Sequence, residues 1–133
     1  MIQTLILPPT LADQIMREAR AAHPAECCGL IEGRIEAGTV ARALACHPTR
    51  NLAQNPDRFE IDPAAHIALL RALRGTDRRL IGCYHSHPNG RPEPSAHDLG
   101  GAAEDGFIWL IAGAHAMAAF CHTNGVFHPV QRA

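Results

Sequence analysis

The chain has 133 residues, which is enough for one domain with a substantial hydrophobic core and too few for two domains of ordinary size, so we expect a single domain over residues 1–133. Apolar residues make up 47% and charged residues 19%, the formal net charge is −1, and the absence of a basic tract argues against nucleic-acid binding. No apolar run approaches the roughly 20 residues of a membrane span, and the N-terminal sequence does not resemble a signal peptide, so we expect a cytoplasmic protein without membrane contacts.

The first part of the chain predicts a strand, a helix and two further strands. "LILPP" is typical of a strand that two prolines end, and a helix is predicted to begin at Thr10, with Asp13 placed as in a capping box. "CCGLIEGR" predicts a strand that turns at Gly33, and "GTVARALACHPT" predicts its partner. The predicted apolar face of the helix consists of Leu11, Ile15, Ala19 and Ala22.

A second helix is predicted from Asp62-Pro63, with the aspartate as the cap and the proline at the first helical position, up to Gly75. Its predicted apolar face consists of Ile67, Leu70 and Leu73. "RLIGCYHSH" predicts a strong strand, which a proline-rich loop follows.

The remaining elements are a short helix from Ser95 towards Glu104, a buried strand "FIWLIAGA", and a hairpin that turns at Asn124-Gly125. Trp109 in the buried strand is interpreted as a core residue. Strands outnumber helices, so the fold class is predicted to be α/β or α+β, with a curved mixed sheet against which the helices pack.

His85 and His87 are two residues apart at the end of a predicted strand, so both imidazoles point to the same side of the sheet. Asp98 follows eleven residues after His87, beyond a loop that three prolines stiffen, and could fold back over the strand end. Two imidazoles and one carboxylate suit Zn²⁺ and leave a fourth position for water, which is the arrangement of catalytic zinc sites.

Other interpretations of these residues stay open at this level. Exposed histidines are common at strand ends, and "SAHD" is also a capping box, in which Ser95 caps the helix and Asp98 occupies the first turn. His97 is an alternative ligand, although its neighbour Asp98 should point in another direction. Hydrolysis also requires a base, and Glu26 at the start of "ECCGLI" is the candidate, against the alternative of a solvated surface acid.

Taken together, these residues resemble the motif of the JAMM, or MPN-plus, metalloprotease family. That motif is an upstream glutamate, His-x-His-Pro, seven residues from the second histidine to a serine, then two residues and an aspartate. Here it corresponds to Glu26, "HSHP" at 85–88, Ser95 and Asp98, so every position matches. "ECCGLIEG" and "NPDRFEIDP" are similar to the family's strand around the glutamate and to its midsection, and the resemblance covers most of the chain.

The resemblance implies a cytidine-deaminase-like MPN sandwich, a curved mixed sheet flanked by helices in a single domain. It implies that His85, His87 and Asp98 hold one Zn²⁺ per chain and that Glu26 is the general base that assists attack of the zinc-bound water. Ser95 would donate a hydrogen bond to the tetrahedral oxyanion, and such a donor can be worth a hundredfold or more in rate.

For the substrate, the resemblance implies a ubiquitin-like protein that is cut after its C-terminal Gly-Gly. The short chain resembles the small stand-alone prokaryotic members, some of which release cysteine or another amino acid from a ubiquitin-like sulfur-carrier protein. The tail could add as a strand to a sheet edge, where glycines fit a tight slot. The sequence does not identify which residues would line the groove that binds this C-terminal tail. The alternatives are a non-catalytic MPN scaffold and a zinc peptidase that acts on short peptides or other amides; the oligomeric state stays open, with a homodimer among the choices.

Several further residues have two interpretations each. Asn51, Asn55 and Arg58 either contact the carrier tail or form a polar loop with turn-forming asparagines. Cys83 shares the face of His85 and could line the site, or it packs in the core. The five cysteines form an odd set without a CxxC pair, which argues against a zinc finger and predicts free thiols; they are Cys27, Cys28, Cys46, Cys83 and Cys121.

Overall fold

The computed structural model describes residues 1–88, 90–101 and 104–133, in which seven strands and three helices form an α+β architecture. Among the described residues, no helix is long and apolar enough to cross a membrane. The elements in chain order are β1 (Thr4–Ile6), α1 (Pro9–Ala22), β2 (Cys28–Glu36), β3 (Val40–Thr49), α2 (Pro63–Leu73), β4 (Arg79–Ser86), α3 (Ala96–Gly101), β5 (Phe107–Ala112), β6 (Met117–Thr123) and β7 (Val126–Arg132).

The strands form one mixed sheet that closes on itself in the order β1-β3-β2-β4-β5-β6-β7, with β1 pairing in parallel to both β3 and β7. Strand β4 lies in the middle, antiparallel to β2 and parallel to β5. The predicted curved mixed sheet is therefore confirmed, and its closure into a barrel is an additional feature. Each described strand has a neighbour on both sides, but β1 pairs with β3 only from Val40 to Arg42. Residues 43–49 of β3 therefore have β2 as their one strand partner among the described residues, and addition of a substrate tail to a sheet edge stays a prediction.

Strand β4 separates two hydrophobic clusters because successive side chains of a strand point to opposite faces. Tyr84 belongs to the larger cluster, against which Ile15 and the rest of the inner face of α1 pack. Cys83 belongs to the smaller cluster together with Trp109 and Leu69 of α2. His85 shares the parity of Cys83, so the fold places it on the α2 side of the sheet.

Two helix predictions need correction. Helix α1 begins at Pro9 rather than Thr10, and no side chain caps it; a proline is well suited to the first helical position because its fixed φ matches the helix and its missing N–H would have no partner there. Helix α2 begins as predicted, with Asp62 accepting a hydrogen bond from the backbone N–H of Ala64 at 3.0 Å. However, Ile67 and Leu70 of its predicted apolar face are 49% and 48% exposed.

The face of α2 that packs on the sheet instead carries Leu69 and Leu73, four residues apart. The segment "HIALLRAL" has apolar residues on every side of the helix, so periodicity alone cannot select the buried face. The selection is made by the shape of the cluster of Leu30, Cys83 and Trp109 on the sheet, which is tertiary information.

Strand β2 continues through Gly33, where a turn was predicted, and the chain reverses at Ala37 and Gly38, which both have positive φ. Gly33 lies at a register shift between β2 and β3, and a Cβ at this position would lie 2.2 Å from the carbonyl oxygen of Arg42. Glycine is therefore needed for close approach of two backbones rather than for a turn. The predicted hairpin at Asn124-Gly125 is confirmed, with φ values of 51° and 75°.

Candidate metal centre

The two histidines of the motif lie at the end of β4, with Ser86 as the last residue of the strand between them. The pairing of β4 with β2 and β5 fixes this end of the strand, because His85 lies opposite Cys28 on one side and Ile111 on the other. His85 is fully buried. The Nε2 atoms of His85 and His87 are 3.0 Å apart, so both imidazoles point to the same position, as the spacing predicts.

Asp98 reaches the same position from helix α3. The backbone N–H of Ser95 donates to Oδ2 of Asp98 at 2.8 Å, and the N–H of Asp98 donates to Oγ of Ser95 at 3.1 Å. This reciprocal pair is a capping box, which fixes the first turn of the helix and the orientation of the carboxylate. The cap and a ligand role of Asp98 are thus compatible, since the carboxylate has further lone pairs.

The donor atoms of these three side chains have the spacing of a metal site. Oδ1 of Asp98 lies 3.1 Å from Nε2 of His85, and Oδ2 lies 3.2 Å from Nε2 of His87. Ligand atoms about 2.0–2.1 Å from a tetrahedrally coordinated zinc ion are about 3.3 Å from one another, which is close to the spacing observed here. Two imidazole nitrogens and one carboxylate oxygen are also donors that zinc accepts, so the residues fit the ion that the sequence predicts.

The ionisation of the three groups follows from their burial and mutual contacts. Burial lowers the pKa of His85, which favours the neutral imidazole that a metal requires. Burial alone would also lower the pKa of His87, but contacts with Asp98 and with the carbonyl oxygen of Arg91 raise it. For Asp98, the hydrogen bonds from the two imidazoles outweigh burial and hold the pKa of the carboxyl well below its usual range.

Glu26 lies in the residue stretch just before β2 and faces the same position. Ligand-type atoms of Glu26, His85 and His87 all lie within 4.8 Å of one another. Glu26 is only 5% exposed, and its Oε1 has no hydrogen-bond partner within the described part of the chain. Burial raises the pKa of Glu26 to about 7, against the lowering effect of His87. The glutamate is therefore not the solvated surface acid that the alternative interpretation assumed.

A clamp that the sequence did not indicate connects the backbone next to Glu26 to the histidine pair. Ser86 accepts a hydrogen bond on Oγ from the N–H of Cys27 at 2.8 Å, and its own N–H donates to the carbonyl oxygen of Cys27 at 3.1 Å. The variable residue of His-x-His thus fixes the distance between the two segments. Only its position between the histidines could have drawn attention to it.

Two clefts flank the cluster. One, of about 490 Å³, is lined by Glu26, His87 and Ser95, with the rings of Pro24 and Pro88 among its walls. The other, of about 580 Å³, is bounded by Asp98 and by mostly apolar side chains, which include Leu30, Phe59, Ile61, Cys83, Phe107 and Trp109. Candidate base, candidate oxyanion donor and one imidazole therefore face the same cleft.

The other residues for which the sequence indicates a possible role lie in different environments. Within the described part of the chain, the side chain of Asn51 makes four hydrogen bonds, all to backbone groups. Asn55 forms a turn by accepting from the N–H of Asp57, whereas Arg58 and Cys83 line the apolar cleft. His97 is exposed and lines both clefts. All five cysteines are free thiols, and Trp109 is a core residue, 5% exposed, as predicted.

Comparisons with known proteins give a matching family and several similar chains. Residues 8–124 match the family model described as prokaryotic homologs of the JAB domain. The chain is 37% identical over 112 residues to a desampylase of Haloferax volcanii, covering 80% of this chain and 78% of the relative. It is 26% identical over 103 residues to the CysO-cysteine peptidase of Mycobacterium tuberculosis, covering 77% and 68%. The solution structure of protein DSY2949 from Desulfitobacterium hafniense superposes with a TM-score of 0.85 at 26% identity, covering 100% and 92%.

Proposed function

The chain belongs to the family of prokaryotic homologues of the JAB domain, and we propose that it is a zinc-dependent peptidase or isopeptidase. Its substrate is a ubiquitin-like or sulfur-carrier protein, which it cuts after the C-terminal Gly-Gly. The observation that carries the proposal is the convergence of two imidazole nitrogens and the two oxygens of one carboxylate, with contacts of 3.0 to 3.2 Å, next to a buried carboxylate oxygen of Glu26 that has no partner among the described residues. The relatives named desampylase and CysO-cysteine peptidase support the choice of substrate.

In this proposal His85, His87 and Asp98 hold the zinc ion. When bound, zinc would act as a Lewis acid and make water nucleophilic at neutral pH. The buried and closely packed position of His85 and Asp98 keeps both ligands oriented, and the capping box ties the orientation of Asp98 to the fold of α3.

Glu26 acts as the general base and then as the general acid. Its carboxylate takes a proton from the attacking water, whose oxygen forms the new bond to the acyl carbon of the terminal glycine. The bond from this carbon to the amine nitrogen then breaks, and Glu26 gives the proton to the leaving amine. The products are a free Gly-Gly carboxylate and an amine.

Ser95 stabilises the charge that develops on the carbonyl oxygen. Its Oγ accepts from the N–H of Asp98 at 3.1 Å, which leaves the hydroxyl proton free to donate towards the cleft that Glu26 and His87 share. Because the cap fixes the serine, the donor is in place before the reaction begins, and this preorganisation is what makes an oxyanion donor effective.

The test combines metal analysis with product analysis. Protein purified without chelators should contain about one zinc per chain. It should convert a Gly-Gly-terminated ubiquitin-like carrier, joined either to cysteine or to a lysine side chain, to the free carrier, as seen by mass spectrometry. Glu26→Gln should keep the zinc and lose about 10²- to 10⁴-fold in rate. Asp13→Asn, an exposed acid on α1, is the matched control and should leave the rate unchanged.

Three results contradict the proposal. Protein without zinc and without cleavage would favour the non-catalytic scaffold. Equal rates on the carrier conjugate and on a short peptide that ends in Gly-Gly before the scissile bond would favour a general zinc peptidase. Full activity of Glu26→Gln would refute the base assignment.

A further inference from the structure

Asn51, between the end of β3 and the loop that leads to α2, makes four hydrogen bonds that the proposed mechanism does not use. Its Nδ2 donates to the carbonyl oxygens of Glu26 at 3.0 Å and of Arg58 at 2.9 Å. Its Oδ1 accepts from the N–H groups of Ala53 and Glu60, each at 2.9 Å. A primary amide has two N–H groups and two lone pairs, so the whole hydrogen-bonding capacity of the side chain is used.

Two of these bonds go to the residues on either side of Phe59. The backbone adds to this alignment, since the N–H of Leu52 donates to the carbonyl oxygen of Glu60 at 2.9 Å and Asn51 forms a bridge with Ile61. Asn51 therefore determines where the backbone of Phe59 lies relative to the backbone of Glu26.

The ring of Phe59 in turn stacks on the imidazole of His85. The ring centroids are 4.1 Å apart with 16° between the planes, and Trp109 contacts the same imidazole edge-on at 5.7 Å. A metal-binding histidine is ordinarily oriented by a hydrogen bond from its second ring nitrogen. Nδ1 of His85 is buried and has no such partner among the residues that the structure describes, so the aromatic contacts are left to orient the ring.

We propose that Asn51 is a positioning residue that holds the backbone of Glu26 and, through the stacked ring of Phe59, the imidazole of His85 in one fixed relation. This inference rests on the proposed function, because it assigns Glu26 as base and His85 as ligand. The two groups come from separate segments, the stretch before β2 and the end of β4, and a shift of about 1 Å between reacting groups can cost a hundredfold in rate. The clamp between Cys27 and Ser86 ties the same two segments independently, so we expect the protein to fold without the amide.

The test compares Asn51→Ala with Asn55→Ala, which removes a turn bond in the same loop without touching Glu26. Zinc affinity is measured by competition with a chelator, and kcat and KM are measured on the carrier–cysteine conjugate. Asn51→Ala should lower kcat about 10- to 100-fold with KM changed less than about twofold, and should weaken zinc binding about tenfold. Asn55→Ala should change each quantity less than about twofold.

Two further measurements separate positioning from general stability. In the Glu26→Gln background and at saturating zinc, Asn51→Ala should cause little further loss of rate, because the base that it positions is already absent and the weakened metal site is filled. Phe59→Leu, which keeps an apolar side chain but removes the ring, should weaken zinc binding and alter the absorption bands of the Co²⁺-substituted protein. Phe59→Tyr should restore both the zinc affinity and the Co²⁺ absorption bands. If Asn51→Ala fails to fold, the comparison of these two Phe59 variants tests the link to His85.

The outcomes distinguish this inference from the proposed function. A wild-type protein that binds no zinc and cleaves nothing overturns both. Wild-type protein that binds zinc and cleaves the conjugate, with Asn51→Ala equal to Asn55→Ala or with only its melting temperature lowered, overturns the inference alone. An unchanged Co²⁺ spectrum in Phe59→Leu likewise refutes the link through the stacked ring.

Discussion

Glu32, a buried carboxylate in the middle of β2, makes the stability of the protein dependent on pH at a point away from the candidate metal centre. Its side chain is 7% exposed and accepts hydrogen bonds from Arg78 at 2.5 Å and from His47 at 2.9 Å. Burial alone would raise the pKa of Glu32, but these bonds, with Arg78 the stronger contributor, hold it below its ordinary value. The arginine is therefore what allows a charge to lie inside the sheet.

Arg78→Ala should lower the free energy of unfolding by about 2 kcal/mol at pH 7. A hydrogen bond between charged groups contributes about 1.5–3 kcal/mol, and breaking a fully buried pair costs about 3–5 kcal/mol. The lower part of this range applies because the side chain of Arg78 is 44% exposed and His47 keeps its bond. For a domain of this size, that loss corresponds to a decrease of roughly 6–10 °C in melting temperature. Urea and thermal unfolding measure both quantities.

The sign of the pH effect follows from the lowered pKa of Glu32. The stabilisation is complete above the unfolded-state pKa of about 4.3 and is lost as the pH falls through the lower folded-state value. The difference between wild type and Arg78→Ala should therefore shrink below about pH 4. Arg79→Ala, at the neighbouring exposed residue, is the control and should change stability by less than about 0.5 kcal/mol. Equal stability of the two variants at pH 7, or an undiminished difference at pH 3, would refute this reasoning.

Three further predictions concern the site and the strand that carries it. Ser95→Ala should keep zinc, measured by metal analysis, and lower kcat about a hundredfold in the conjugate assay; an undiminished kcat would exclude the oxyanion role. Ser86→Ala leaves the N–H of Cys27 without its acceptor and should lower the free energy of unfolding, measured with urea, by about 1–2 kcal/mol; no change would show that the clamp is dispensable. Gly29→Ala places a Cβ 2.2 Å from the ring of Tyr84 and should lower the melting temperature strongly. The control Gly38→Ala meets no atom within 4 Å and is strained only by its positive φ, so its melting temperature should fall far less. Similar melting temperatures of the two variants would contradict this packing.

Local chemistry made several parts of the fold predictable. The hairpin at Asn124-Gly125 needs two residues with positive φ, and this dipeptide is among the few that adopt them easily. The start of α2 depends on one aspartate oxygen that accepts from a backbone N–H two residues later. Such signals involve neighbours in the chain, so the sequence displays them directly.

The same argument explains why the three candidate ligands were predictable. Strand alternation places His85 and His87 on one side, and a capping box orients Asp98. In contrast, the contacts of Ser86 with Cys27 and of Asn51 with Glu26 join residues that are 59 and 25 positions apart. No periodicity encodes such pairs, because they depend on which strands become neighbours in the closed sheet.

The pairing of β4 also restricts how a substrate tail could reach the site under the proposed function. Near His85 this strand is paired along both edges, with β2 and with β5, so a Gly-Gly segment cannot add to β4 there, and we expect the segment to lie across the end of the strand. The cleft that Glu26, His87 and Ser95 line has walls that include Pro24, Pro56 and Pro88, whose rings are rigid and lack N–H donors. Residues without side chains can approach such walls closely. Under the proposed function we therefore expect a preference for glycine to arise from the shape of the cleft rather than from backbone pairing, with Glu26 and Ser95 of the same cleft next to the scissile bond.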